Sequence, residues 1–267
     1  KLTIDSYYRK SLRIHHSATH LLHAVLRSVL GKHITQKGSL VAHDRLRFDI
    51  NHPNSLTTAE IDLIEDKVNQ IIANNSPVHT KLMSTNAAIE SGAMALFGEK
   101  YENEVRVVSI GNEDDQDNPY SFELCGGTHV SRTGDIGVFK IVSEGAIAAG
   151  VRRIEAVCGS YALSFIRENE KLLATIVNNL KTNKQDVVQK LDSLIHNKKE
   201  LEKDLEKKQL ETLSLTVEEI NRIAKNVNGI RLIYKQIDNV NSKLLRIAIQ
   251  DMIKNHNNLV VVYASKL

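Results

Sequence analysis

The chain has 267 residues, 42% of them hydrophobic and 25% charged, with a formal net charge of +3. That length can bury a real core in one large or two modest domains, and no run of about eighteen apolar residues offers a membrane span. Lys and Arg number 17 against 19 Asp and Glu up to Ser160 and 18 against 13 afterwards, so a nucleic-acid contact in the first part must be local and not a broad basic face.

Leu12 to Leu30 places Ala18, Leu21, Leu22, Val25, Leu26, Val29 and Leu30 on one helical stripe, with Gly31 as its C-terminal cap. Ser39 to Ile50 alternates apolar and polar residues around His43-Asp44, the pattern of a hairpin. Thr57-x-x-Glu60 is a capping box that opens a second helix running to about Asn75, and Pro77 prevents its continuation. Strands are expected over Val78–Met83, Val105–Ile110, Tyr120–Leu124, Ile136–Val142 and Val151–Val157, with the acidic stretch Gly111–Asn118 as a mobile loop. Lacking regular βαβ alternation, residues 1–159 are expected to form an α+β domain of mixed helices and antiparallel sheet.

From Tyr161 the texture changes. Leu173, Leu180, Val187, Leu194 and Leu201 recur every seven residues, with Val177, Leu191 and Leu205 four positions on, while Lys184 and Lys198 interrupt the seam. The polar stretch Lys181 to Asp186 divides it in two, which predicts a helical hairpin over 160–215; an inter-chain coiled coil, with self-association, is the alternative. The Lys/Glu run Lys198–Glu211 is a solvated helix face. Residues 216–267 then read as a short helix Val217–Asn226, a strand Ile230–Ile237, a helix Ser242–Lys254 and a strand Leu259–Ala264, a partial βαβ unit with no evident sheet to complete it.

Two residue pairs carry the chemistry. His16 and His20, spaced i, i+4 on the first helix, present both imidazoles on one face. Cys125 and His129 flank Gly126-Gly127-Thr128, where two glycines let the backbone turn tightly enough for thiolate and imidazole to converge. Three nitrogens and one sulfur suit a tetrahedral Zn²⁺, with His15 and His23 as alternative ligands by position. Ser17 stands where a metalloprotease helix needs its glutamate, which excludes that class. Nine of the eleven histidines fall within the first 129 residues, in keeping with a site there. Cys125 is better used on a metal than in a disulfide, and Cys158 ends a buried strand as a small apolar residue, so a reducing, cytoplasmic setting is expected. The chain starts on Lys1 with no signal peptide, which suggests a piece of a longer protein.

The words around these residues are more specific. His16-Ser-Ala-Thr-His-Leu-Leu-His23, Thr35-Gln-Lys-Gly-Ser-Leu40, Gly92-Ala-Met-Ala-Leu-Phe-Gly-Glu-Lys-Tyr101, Glu123-Leu-Cys-Gly-Gly-Thr-His129, Arg132-Thr-Gly-Asp-Ile-Gly137 and Gly150-Val-Arg-Arg-Ile-Glu155 occur in one order. Together they closely resemble the editing domain of the bacterial alanyl-tRNA synthetase family. The helical stretch and the residues after it resemble the segments C-terminal to that domain in the family, the last part being similar to the beginning of its C-terminal tRNA-binding domain. The resemblance implies zinc on His16, His20, Cys125 and His129, ahead of His15 and His23. It implies hydrolysis of the ester joining serine or glycine to the 3′ ribose of alanine tRNA, whose acceptor end is then the partner. ATP and alanine would enter only in a full-length enzyme, since no motif for aminoacylation is present.

Size filtering cannot spare correctly charged alanine, because a pocket large enough for serine also admits it; the site must recognise the hydroxyl and leave polar groups unpaired when alanine enters. Gln36, at a family position associated with discrimination, and Thr19, beside a ligand on the helix, are the candidates, and with Cys125 they complete the expected catalytic set. Arg152 and Arg153, after the small-residue loop Gly145–Gly150, suit guanidinium contacts to a tRNA backbone, with Lys37, Arg45, Arg47 and Lys140 extending the groove. Two rival readings are a free-standing deacylase acting in trans and a zinc-stabilised RNA-binding module without catalysis.

Overall fold

The computed structural model describes residues 3–95, 102–111, 119–213, 215, 217–237 and 240–265, and the chain divides into a unit ending at Leu172 and a second beginning at Leu173. The expected acidic loop, beyond Gly111, and residues 96–101 of the Gly92–Tyr101 motif lie outside the described residues.

In the first unit, helix α1 (Ser6–Leu30) is capped by the Asp5 carboxylate, which accepts from the Tyr8 N–H at 3.0 Å, and it ends where Gly31, at φ 118°, donates its N–H to the Arg27 carbonyl. The helix begins ahead of the predicted Leu12 because its first turn is exposed and carries no apolar stripe to read. Strands β1 (Gln36–Val41) and β2 (Leu46–Asn51) make the expected hairpin. Helix α2 (Thr58–Ala73) opens on its capping box: the Thr57 hydroxyl accepts from the Glu60 N–H at 3.2 Å, and the Glu60 carboxylate accepts from the Thr57 N–H at 2.8 Å.

Strands β3 (Val78–Ser84), β4 (Glu104–Ile110) and β5 (Ser121–Leu124) form an antiparallel sheet, with a short helix α3 (Thr85–Glu90) after β3 that is too brief to show a period in the sequence. Strands β6 (Phe139–Ala148) and β7 (Val151–Cys158) join the first hairpin in a second antiparallel sheet of order β1-β2-β7-β6. One expected element is corrected here. The segment expected as a small-residue loop continues β6, pairing Gly145 with Arg153 and Ala146 with Arg152, and only Ala149 and Gly150, the latter at φ 69°, make the turn.

Both helices bury their stripes against the four-stranded sheet. Leu21, Leu22 and Leu26 of α1 and Ile64 and Val68 of α2 meet Phe48, Ile50, Phe139 and Ile154, all essentially inaccessible. Burying each such side chain is worth about 1.5–3 kcal/mol, which makes α1 a rigid mount for whatever its other face carries.

Helix α4 (Ser160–Leu180) begins in the first unit, and the expected break comes directly after it: Lys181 takes φ 48°, and the Asn183 side-chain carbonyl accepts from the Gln185 and Asp186 N–H groups at 3.0 Å each. Helix α5 (Val187–Leu213) has a solvated face with Lys198–Glu202 and Glu200–Lys203 pairs at 3.4 and 2.9 Å, and leaves Leu191, Leu194, Leu201 and Leu205 exposed. After α6 (Val217–Ile223), strand β9 (Ile230–Gln236), helix α7 (Ser242–Asn255) and strand β10 (Leu259–Ala264) build the βαβ unit, with β9 and β10 parallel. The sheet is completed by β8 (Lys225–Val227), antiparallel to β9 across an Asn228-Gly229 turn with both φ values positive (51° and 83°). The predicted helix through Asn226 therefore ends early. Among the described residues no helix is long and apolar enough to cross a membrane.

The packing sets where the first unit can be cut. Ala162 of α4 is fully buried, and the Tyr161 ring lies 6.0 Å from His15 and 6.2 Å from His43. A piece ending at Gly159 is expected to melt below one ending at Leu172 by about 4–8 °C, corresponding to about 2 kcal/mol of lost contacts. Thermal unfolding of the two pieces checks this; equal midpoints would place the structural boundary at Gly159.

Candidate metal centre and the adjoining cavity

The ligand atoms offered by His16, His20, Cys125 and His129 all lie within 4.8 Å of one another. The α1 helix supplies two of them. The other two come from the turn after β5, where Cys125 Sγ stands 3.4 Å from both His16 Nε2 and His129 Nε2 and accepts from the Gly127 N–H at 3.4 Å. Neither Gly126 nor Gly127 has a positive φ, so a left-handed turn is not what selects them. Gly127 is needed for room: a Cβ there would sit 2.0 Å from His16 Cε1.

Outer partners fix the tautomers. The buried Glu123 carboxylate accepts from His20 Nδ1–H at 2.7 Å and lies 3.3 Å from His23 Nδ1, while the Ser121 hydroxyl donates to it at 3.0 Å. With its proton on Nδ1, His20 is left with a buried Nε2 that has no hydrogen-bond partner among the described residues. Ser17 Oγ lies 3.2 Å from His129 Nδ1 and accepts from the Val130 N–H at 3.1 Å, which leaves His129 Nε2 for the centre. This ligand, imidazole and carboxylate arrangement is the one that metal-binding histidines use. Nothing in the sequence alone marks Glu123 or Ser17 for this role.

Electrostatics point the same way. Burial resists charge on Cys125, but hydrogen bonds from His129 and His16 and the nearby His20 ring outweigh it and hold the thiol down at about 3. Burial also resists charge on His20, yet the neighbouring Cys125 and Glu123 anions outweigh it and raise it to about 10, and a metal cation at Nε2 would take the place of the proton they favour there. Glu123 is likewise opposed by burial and pulled well below the usual carboxylate range by His20 and His23. A thiolate and a carboxylate thus converge on one buried imidazole, and the centre calls for a cation. A thiolate, three imidazoles and an unpartnered buried Nε2 fit Zn²⁺.

His15 is no ligand. Its Nε2 accepts from the Cys158 N–H at 3.2 Å and its Nδ1 donates to the Ser11 carbonyl at 3.0 Å, and burial keeps it neutral, so it ties α1 to the end of β7. His23 serves through Glu123.

A cavity of about 420 Å³ opens beside the centre, lined by His16, His20, His23 and Cys125 together with Thr19, Gln36, Ser39 and Phe48. Both sequence candidates for side-chain recognition therefore reach the same space as three of the four donors. They differ in availability. The Thr19 hydroxyl donates to the His15 carbonyl at 2.8 Å, whereas the half-buried Gln36 amide has no side-chain hydrogen bond among the described residues.

The basic candidates are mostly engaged elsewhere. Arg152 forms a fork with Glu144 at 2.5 and 2.7 Å, and Arg153 forms one with Asp49 at 2.8 and 2.9 Å. Arg47 lies 3.8 Å from Asp49, Lys140 2.8 Å from Glu65 and Arg45 3.2 Å from Asp44, while Lys37 is exposed. Two cations that no sequence motif singles out, Arg13 and Arg106, bond the turn that carries Cys125 and His129, at Thr128 and at the Gly127 carbonyl.

Residues 105–155, spanning β4 to β7 and including Cys125 and His129, match the family described as the threonyl and alanyl tRNA synthetase second additional domain. Among curated proteins, the alanine–tRNA ligases of Rickettsia bellii, Rickettsia rickettsii (strain Sheila Smith) and Rickettsia typhi are 58%, 55% and 55% identical over 98%, 99% and 97% of this chain. Each match covers 29% of the relative, so the chain spans less than a third of the length of these proteins.

Proposed function

We propose that this chain is a piece of an alanine–tRNA ligase and that its first 159 residues hydrolyse the ester of alanine tRNA mischarged with serine or glycine. The observation that carries this reading is the cavity in which Gln36 and Thr19 share a wall with His16, His20 and Cys125. We assign residues 160–215 to a helical linker and 216–267 to the start of a tRNA-binding domain, in line with the change of texture after Gly159 and the separate βαβ unit.

When bound by His16, His20, Cys125 and His129, zinc supplies Lewis acidity toward an ester carbonyl or a water. The chain does the rest. Glu123 and Ser17 hold His20 and His129 with Nε2 toward the centre, and Phe48 and Leu124 give the cavity apolar wall that limits water. Gln36 offers an amide that can both donate to and accept from the hydroxyl of serine; alanine would strand it. Of the two substrates, serine is the one this arrangement favours.

Incubation with seryl-tRNA of the alanine type tests the activity: a deacylase releases serine, whereas a binding module leaves or protects the ester. For discrimination, Gln36→Ala is expected to shift the ratio of seryl- to alanyl-tRNA deacylation by roughly 1–3 kcal/mol, the cost of an unpaired buried polar group. An unchanged ratio would move hydroxyl recognition to Thr19.

A further inference from the structure

We infer that a second cavity, flanking the Cys125–His129 turn, is a phosphodiester site that takes the RNA backbone next to the esterified ribose. This cavity, of about 400 Å³, shares Arg106 and Gly126 with the first and is lined further by Arg13, Thr80, Thr128 and Ser131. The inference rests on the deacylase reading for the identity of the RNA, but not for the presence of an anion site.

Charge balance is what distinguishes this place. The arginines and the lysine beside the four-stranded sheet are matched by carboxylates: Arg152 by Glu144, Arg153 by Asp49, Lys140 by Glu65. Arg13 and Arg106 are not. Arg13 Nε donates to the Thr128 hydroxyl at 2.8 Å and Arg106 donates to the Gly127 carbonyl, both neutral acceptors, so each guanidinium keeps its full charge and most of its donors. Among the described residues neither forms an ion pair, and no Asp or Glu lines this cavity, although Glu102, Glu104 and Glu123 line its neighbour. Arg106 Nε is in addition buried without an acceptor. Two uncompensated guanidiniums held on consecutive residues of one turn, with threonine and serine hydroxyls around them, are suited to an oxyanion with several acceptor oxygens.

Position selects which oxyanion. The two cavities meet at Gly126 and Arg106, and in an aminoacylated RNA the nearest phosphate to the 3′ ester is one ribose away. An ester carbonyl at the His16, His20 and Cys125 wall then leaves the phosphate of the terminal nucleotide to be taken up beside Arg13 and Arg106. The same two side chains clamp the turn that carries Cys125 and His129, so the phosphate would also settle that turn.

The test uses the full chain with zinc and two readouts: affinity for uncharged alanine tRNA across a salt series, and kcat/KM on seryl-tRNA relative to seryl-adenosine, which has the ester and ribose but no phosphate. Arg13→Gln keeps an N–H for Thr128 and removes the charge. We expect it to weaken tRNA binding about tenfold, to reduce the slope of log affinity against log salt by about 0.7, and to lower the seryl-tRNA to seryl-adenosine ratio about tenfold through KM. Arg13→Lys should recover most of the loss, and Arg106→Lys, which retains charge but not the fork, should lie between. Unchanged tRNA affinity and salt slope in Arg13→Gln would overturn the site, as would a parallel fall on both substrates accompanied by zinc loss, which would mark Arg13 as a clamp on the turn only. Competition by inorganic phosphate at millimolar concentration, without effect on seryl-adenosine hydrolysis, would support the site as a phosphate receiver. If the unaltered chain hydrolyses neither substrate, the deacylase reading falls, while the binding series still decides the phosphate site.

Discussion

Replacing Cys125 by alanine is expected to leave a folded protein that no longer retains zinc and that deacylates seryl-tRNA more than about a hundredfold more slowly. Cys125 is the one anionic donor of the four, and its Sγ touches His16 Nε2 and His129 Nε2 at 3.4 Å. Removing it leaves three imidazoles around a metal whose binding they must then sustain alone. Loss of an outer-shell partner typically costs 10–100-fold in affinity or activity, and a ligand itself should cost more. Folding should survive, because the core built on Leu21, Leu22, Phe48, Ile64 and Ile154 lies on the other side of α1 and Cys125 only packs at its margin. Metal content after dialysis, deacylation rate and the thermal midpoint should be measured on one preparation. Zinc retained at one per chain would sink the ligand assignment, and loss of the cooperative transition would mean that the metal holds the fold together.

Legibility in the sequence tracked the range of each interaction. The His16 and His20 pair could be read because two residues one helical turn apart share a face whatever the rest of the chain does. The capping box at Thr57 and Glu60 is equally local, and both survive in the structure. Partners that arrive from far along the chain could not be read this way: Glu123 reaches His20 across 103 residues and Ser17 reaches His129 across 112. The ion pair of Arg153 with Asp49 depends on the register of β2 against β7, and without that register two adjacent arginines look free. Strand β8 is a different kind of miss. Its Asn228-Gly229 turn was in plain view, but the apolar residues before it suggested a helix running to Asn226. The exposed first turn of α1 carries no apolar period at all, so a start at Asp5 could be seen only from its cap.

Alanine at position 127 is expected to damage the centre far more than one methyl group suggests, weakening zinc by about 10–100-fold. A Cβ built there falls 2.0 Å from His16 Cε1 and 2.4 Å from His16 Nδ1, so something must move. Little is free to do so. His16 is anchored on α1, whose opposite face is locked into the core, and the turn is held by Arg106 on the Gly127 carbonyl and by the Gly127 N–H on Cys125 Sγ. Either His16 leaves its position or the turn retreats with Cys125 and His129, and each outcome separates donors that now lie within 4.8 Å. Gly126→Ala is the control, since a Cβ at that position meets nothing within 4 Å and its φ is not positive. Titration of both variants with a competing chelator measures the difference directly. Equal zinc affinities would mean that the turn yields without cost, and the close approach of Gly127 to His16 would then have no part in holding the metal.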